Sequence, residues 1–237
     1  PIHKPGAARG DDAARAARGV GQAVHLLVGE PILRQVVGHD VEPDIVDLKR
    51  AGAGIVRDQR RAVPALVIEH RVGDAVVATD LPAARKRAKA ADSMLAKGKS
   101  RGPLHGVPVT IKENIATRGV PMPLGSAATE LLPMPEDAPP AARLREAGCV
   151  FLARTTMPDY GMLSSGLSTF HPLSRNPWDV SKGPGGSSAG GGAAAAAGYG
   201  PLHIGTDIGG SLRLPASWCG IFSLKPSLGR IPIDPPY

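Results

Sequence analysis

The sequence predicts an α/β fold, and three observations carry that prediction. A helix-forming run ends at Gly98 and gives way to an apolar strand pattern. A second run ends at Gly148 and does the same. Two glycine-rich turns, 183–192 and 205–211, then adjoin a helix candidate and a short strand. Helix–glycine–strand order of this kind is the signature of layered α/β structure. Hydrophobic residues make up 42% of the 237 residues, enough for a sizeable core, while 30 Gly and 24 Pro make the chain loop-rich.

The elements follow in order. Residues 1–73 show no sustained period, and 23–28 (Ala-Val-His-Leu-Leu-Val) fits either a strand or helical turns. Order begins at 74–237. Asp80 is a helix cap, Pro82 is tolerated in the first turn, and the helix runs through Ala96. Leu104 to Ile111 reads as a turn followed by a strand over 107–111. The next helix starts near Asp137 with Pro139 and Pro140 in its first turn, and 149–153 is a short buried strand. Ala193–Ala197 is a helix candidate, 202–206 a strand, 207–211 a tight turn, and 212–216 leads away from it.

Composition removes several classes of function. The formal charge is +7, with 18 Lys and Arg against 12 Asp and Glu up to Arg101. That basic half contains no Phe, Trp or Tyr, so it lacks the stacking residues of a nucleic-acid module and reads as a solvated basic surface. Cys149 and Cys219 sit among apolar neighbours and are expected to be buried free thiols. No C-x-x-C occurs, the seven histidines lack ligand spacing, and no metal or other cofactor is expected. The amino-terminal residues have no apolar signal-peptide core, and no apolar run is long enough to span a bilayer. The expected setting is cytoplasmic, without membrane or nucleic-acid partners.

Three segments carry candidate chemistry. The loop 183–192 suits an anion, yet Gly191 and Gly192 stand where a phosphate loop needs Lys and Ser or Thr. Taken alone, Ser187 and Ser188 read as helix caps. In 205–211, Gly209 and Gly210 precede Ser211 and can gather successive N–H groups into a pocket for an oxyanion. Lys112 ends an apolar strand, where burial would depress its pKa. To serve as a base near neutral pH it must fall by roughly 3 units from its reference value, or about 4 kcal/mol of environmental work.

Together these segments resemble the amidase signature family. Residues 102–114, ending Thr-Ile-Lys-Glu-Asn, resemble its lysine motif. Gly185-Gly186-Ser187-Ser188 resembles its central serine motif, and 205–216 its nucleophile motif. Residues 220–227 resemble the segment that follows. The resemblance spans roughly Asp74 to Pro235 and implies a mixed central sheet flanked by helices. It implies Ser211 as nucleophile, Ser187 as bridge after a cis peptide bond, and Lys112 as base. The N–H groups of Ile208, Gly209, Gly210 and Ser211 would form the oxyanion hole. Ser188 would support the site, and Asp207 with Arg213 would brace the nucleophile turn as an ion pair.

The implied activity is hydrolysis of the amide bond of a small carboxamide or acyl-amine through an acyl-serine. Within the family the alternative is the glutamine-hydrolysing component of an amidotransferase, its A subunit, which releases ammonia from glutamine. A third reading is a truncated, inactive remnant. The sequence departs from the family at Ala189, where many members have Gly, and in residues 1–73, whose Arg-rich composition suggests a misassigned start or shifted frame. It also stops shortly after the nucleophile motif, which is read as truncation. A small-molecule amide is the expected partner, and a homodimer is left open. Met122, Met162, Leu163 and Phe170 are expected in core packing rather than in a pocket.

Overall fold

In the computed structural model, the described residues are 75–77 and 81–232, together with the backbone of 23–28. Six strands form one mixed sheet in the order β2-β4-β3-β5-β1-β6. They are β1 (Ala23–Val28), β2 (Val76–Val77), β3 (Pro108–Lys112), β4 (Val150–Thr155), β5 (Leu202–Asp207) and β6 (Phe222–Leu224). The central β4-β3-β5 strands run parallel, and β2, β1 and β6 add antiparallel neighbours outside them. The helices are α1 (Leu81–Ala96), α2 (Pro139–Glu146), α3 (Ala189–Ala196) and α4 (Arg213–Cys219). This is the mixed sheet with flanking helices that the sequence predicts.

Most boundaries match the local chemistry. Helix α1 has Pro82 in its first turn and buries Ala84 and Ala91, two turns apart on one face, against β4. It ends where Gly98 takes φ +68°, with the Gly98 and Lys99 N–H groups donating to Leu95 O and Met94 O. The capping role of Asp80 lies outside the described residues, as does nearly all of 1–73. Helix α2 starts with its two prolines and stops before Gly148 at φ +85°. The segment 23–28, which fits two structures on sequence alone, is a strand paired with β5 and β6.

Two helices differ from expectation. Helix α3 begins at Ala189, so Gly190, Gly191 and Gly192 lie inside it. Glycine is the poorest non-proline helix former, and tertiary contact explains its presence. A Cβ on Gly190 would collide with Ala75 O and Thr156 N, and one on Gly192 would meet Pro215 Cβ at 2.7 Å. The all-small helix thus lies backbone-close on the sheet and on α4. The lead-away expected over 212–216 is instead the start of a helix, α4, which runs through Cys219 with Pro215 tolerated in its first turns.

The core of the α2 side joins Val109 and Ile111 of β3 to Leu202 and Ile204 of β5, with Ala141 and Cys149. Alternation along β3 turns Thr110 and Lys112 the other way. Cys149 and Cys219 are buried free thiols, and burial pushes both up to about 11. Met122 is buried, but Met162, Leu163 and Phe170 are exposed, contrary to the core packing expected of them. They ride on the irregular segment 162–174, which has no helix or strand to tuck them inward.

Candidate active site

Lys112 is the last residue of β3 and is wholly buried. Its Nζ lies 2.7 Å from Ser187 Oγ and 2.9 Å from Thr206 Oγ1. Burial lowers its pKa from 10.5 to about 7, while the carboxylates of Glu113 and Asp207 oppose that fall. A buried amine can exist here because two hydroxyls satisfy it without supplying a counter-charge. Asn114 Nδ2 donates to the same Thr206 Oγ1 at 3.1 Å. Thr206 therefore fixes the lysine end, and sequence reasoning did not single it out.

The serine loop meets Lys112 from the sheet's end. Gly185 sits at φ +82°, and the Gly186–Ser187 peptide bond is cis, as the resemblance implies. Gly186 is required by crowding: a Cβ there would stand 2.5 Å from Ser165 N and 2.6 Å from Leu163 O. Ser187 and Ser188 are both buried. The Ser188 N–H donates to Ser211 O at 3.0 Å, and its hydroxyl donates to Thr206 O at 3.1 Å. Ser188 thus ties the serine loop to β5 and to the turn that carries Ser211. Neither serine hydroxyl acts as the N-terminal cap of α3.

Asp207 organises that turn. Its Oδ1 accepts the Gly210 N–H at 2.7 Å and its Oδ2 the Leu212 N–H at 3.1 Å. The Arg213 guanidinium donates to both oxygens at 2.9 Å. Burial alone would push the Asp207 carboxyl up. The Arg213 guanidinium and the N–H groups of Leu212, Gly210 and Arg213 outweigh it and hold the carboxyl well below the usual range. The expected Asp207–Arg213 pair is formed, with Arg213 itself exposed. One expectation needs correction. The Gly210 N–H is committed to Asp207, which leaves Ile208, Gly209 and Ser211, whose N–H groups have no acceptor among the described residues.

Sequence reasoning missed a second layer. Glu113 and His171, both buried, meet with Nε2 and Oε2 2.6 Å apart, which pins the segment 162–174 to the residue beside Lys112. Arg154, at the end of β4, is buried and donates to Glu113 O, Ile115 O and Thr117 Oγ1. Arg154 carried the same signal as Lys112, a cation closing an apolar strand. The Glu113–His171 pair spans 58 positions with no motif to announce it. Among the described residues no group of three or more His, Cys, Asp or Glu could hold a metal ion, and no helix is long and apolar enough to cross a membrane.

Comparison with known proteins decides the family. The amidase family model matches residues 68–237, most of the chain. The chain belongs to the amidase family. It is 39% identical over 191 residues to the A subunit of glutamyl-tRNA(Gln) amidotransferase from Anaeromyxobacter sp. (strain K), covering 78% of this chain and 39% of that protein. Among solved structures of the amidase family, the peptide amidase from Stenotrophomonas maltophilia is similar at 34% identity and TM-score 0.62, over 80% of this chain and 39% of that one. A further amidase crystal structure is similar at 37% identity and TM-score 0.64, over 79% and 40%. The chain thus spans about two fifths of the length of these amidase-family relatives.

Proposed function

We propose that this chain carries the catalytic centre of a serine amidase that hydrolyses small carboxamides or acyl-amines. The observation that carries the reading is Lys112 Nζ, buried with no salt bridge among the described residues, poised near neutrality and 2.7 Å from Ser187 Oγ. In this reading Ser211 Oγ attacks the amide carbon. Its proton passes to Ser187 Oγ while the Ser187 proton passes to the neutral Lys112 amine. The N–H groups of Ile208, Gly209 and Ser211 receive the oxyanion. The C–N bond then breaks, and the departing nitrogen takes the proton back from the lysine through Ser187. Water enters by the same relay, breaks the acyl–Ser211 ester and releases a carboxylic acid. Ser188, Asp207 and Arg213 position these groups, and the chemistry proceeds among protein side chains.

Fluorophosphonate labelling with peptide mapping tests this. Modification is expected at Ser211, absent in Ser211→Ala and much weaker in Lys112→Ala. Labelling at another serine, with amidase turnover intact in Ser211→Ala, overturns the assignment. A folded chain with no labelling supports the inactive reading instead.

A second reading is favoured by the names of similar proteins, several of which are A subunits of glutamyl-tRNA(Gln) amidotransferases. There the same centre releases ammonia from glutamine for transfer. Ammonia release that requires added partner subunits would select it over free amide hydrolysis.

A further inference from the structure

On the face of β3 that carries Ile111, turned away from Lys112, lies a cavity of about 290 Å³. Four arginines reach it from four separate elements: Arg87 of α1, Arg118 of the turn after β3, Arg145 of α2 and Arg154 of β4. Arg145 is already committed. It grips Asp137 with two hydrogen bonds of 2.7 and 2.9 Å and stacks on the Phe151 ring at 4.6 Å. With the Arg118 N–H, it holds the Asp137 carboxyl below its ordinary range. The side chains of Arg87 and Arg118 make no hydrogen bond or salt bridge among the described residues.

Arg154 is the unusual member. It is 5% exposed, and its Nη atoms donate only to uncharged oxygens. Its buried Nε has no acceptor among the described residues. Burial lowers its pKa to about 10 against the pull of Glu113 and Asp137. Neither carboxylate forms an ion pair with it: Glu113 meets His171, and Asp137 meets Arg145. A buried guanidinium without a paired anion is costly to maintain, and a bound anion would offset that cost.

Apart from Thr117, whose hydroxyl is already bonded to Ile115 O and Arg154, the remaining wall is apolar. Val120, Phe151 and Leu152 line it beside Ile111. The cavity is much larger than an inorganic oxyanion needs. We propose that it is a binding site for a small organic anion, a carboxylate or phosphate ester on an aromatic or aliphatic body, with Arg118 and Arg87 receiving the oxyanion beside the buried charge of Arg154. Arg154 also holds the carbonyls of Glu113 and Ile115, so an occupant would contact the scaffold of the lysine segment from across the sheet.

The test is calorimetric titration of the full chain at fixed ionic strength with phenylacetate, phenyl phosphate, inorganic phosphate and neutral benzyl alcohol. Saturable one-site binding of the ring-bearing anions is expected, with none of the alcohol. Phenyl phosphate against phenylacetate tells which headgroup is preferred. The double variant Arg87→Ala with Arg118→Ala, both at exposed positions, should bind about tenfold or more weakly, the loss of charge-assisted bonds. Absence of saturation with both ring-bearing anions, or unchanged affinity in the double variant, overturns the proposal. Inorganic phosphate binding as tightly as phenyl phosphate overturns its apolar-body half. Ser211→Ala should bind the anions like the parent chain, so this result stands apart from the serine chemistry.

Discussion

Lys112 Nζ and Ser187 Oγ meet at 2.7 Å in an interior from which solvent is excluded at the lysine. The short distance and the burial act on the same quantity. Burial makes the neutral amine accessible near pH 7, and the distance gives that amine a proton source.

The neutral amine is populated only above about 7, so fluorophosphonate labelling of Ser211 should rise through about pH 7 and then level. Replacing Glu113 by Gln removes a carboxylate that raises the lysine pKa, so the rise should move to lower pH. Labelling rates from about pH 5 to 9 on both proteins check it, a span that brackets the lowered value. A pH-independent rate, or one still climbing without a midpoint at the upper end of that span, as an unperturbed lysine of about 10.4 would give, would exclude Lys112 as the base.

Between about 7 and 10.5 the unfolded chain holds a proton on Lys112 that the folded chain has released. Stability should therefore rise with pH across that window, by up to about 5 kcal/mol, and the penalty is fully present below it. His203 acts in a separate window. Its Nδ1 accepts from Thr110 Oγ1 and its Nε2 donates to Gly200 O, and burial lowers it to about 4. Its contribution is intact above its unfolded value near 6.5 and falls by about 3 kcal/mol as pH drops toward 4. Urea unfolding should lose the upper slope in Lys112→Met and the lower slope in His203→Gln, each alone.

Much of the site was legible because its signals are local. Lys112 closes an apolar strand, Ser211 follows two glycines, and the family pattern ordered them. The sequence shows helix α3 only from Ala193 onward, because three glycines at its start argue against helix, and only the approach of Ala75, Thr156 and Pro215 explains them. The strand 23–28 depends on partners nearly 180 residues away, so its own letters leave it ambiguous. On sequence alone the Gly210 N–H reads as available, because nothing there shows where the Asp207 side chain turns.

Gly190→Ala provides a direct test of helix α3. Propensity favours the change by about 1 kcal/mol. The added Cβ would overlap the backbone of Ala75 and Thr156, and overpacking of this kind costs about 1–3 kcal/mol or more. Net destabilisation is therefore expected in urea melts. Gly209→Ala is the contrast, since its Cβ would meet nothing within 4 Å, and it should stay within about 0.5 kcal/mol of the parent. Equal tolerance at both positions would mean that α3 does not lie as close to the sheet as described.

Asp207 and Arg213 separate two ways of bracing the turn. If the ion pair mattered most, removing either partner would do similar damage. Arg213 is more than half exposed, and water replaces what it gives. Asp207 instead holds the buried Gly210 and Leu212 N–H groups, each costing about 1–3 kcal/mol when stranded. Asp207→Ala should therefore destabilise the chain by about 3 kcal/mol and abolish labelling of Ser211. Arg213→Ala should cost far less stability and leave labelling measurable. Because the Asp207 carboxyl titrates below its usual range, its contribution is whole above the unfolded carboxyl pKa near 3.9 and is lost as pH falls below it. The gap between the two variants, measured by urea melts, should accordingly be wide at neutral pH and shrink under strong acid. Equal losses in the two variants would place the brace in the ion pair rather than in the backbone N–H groups.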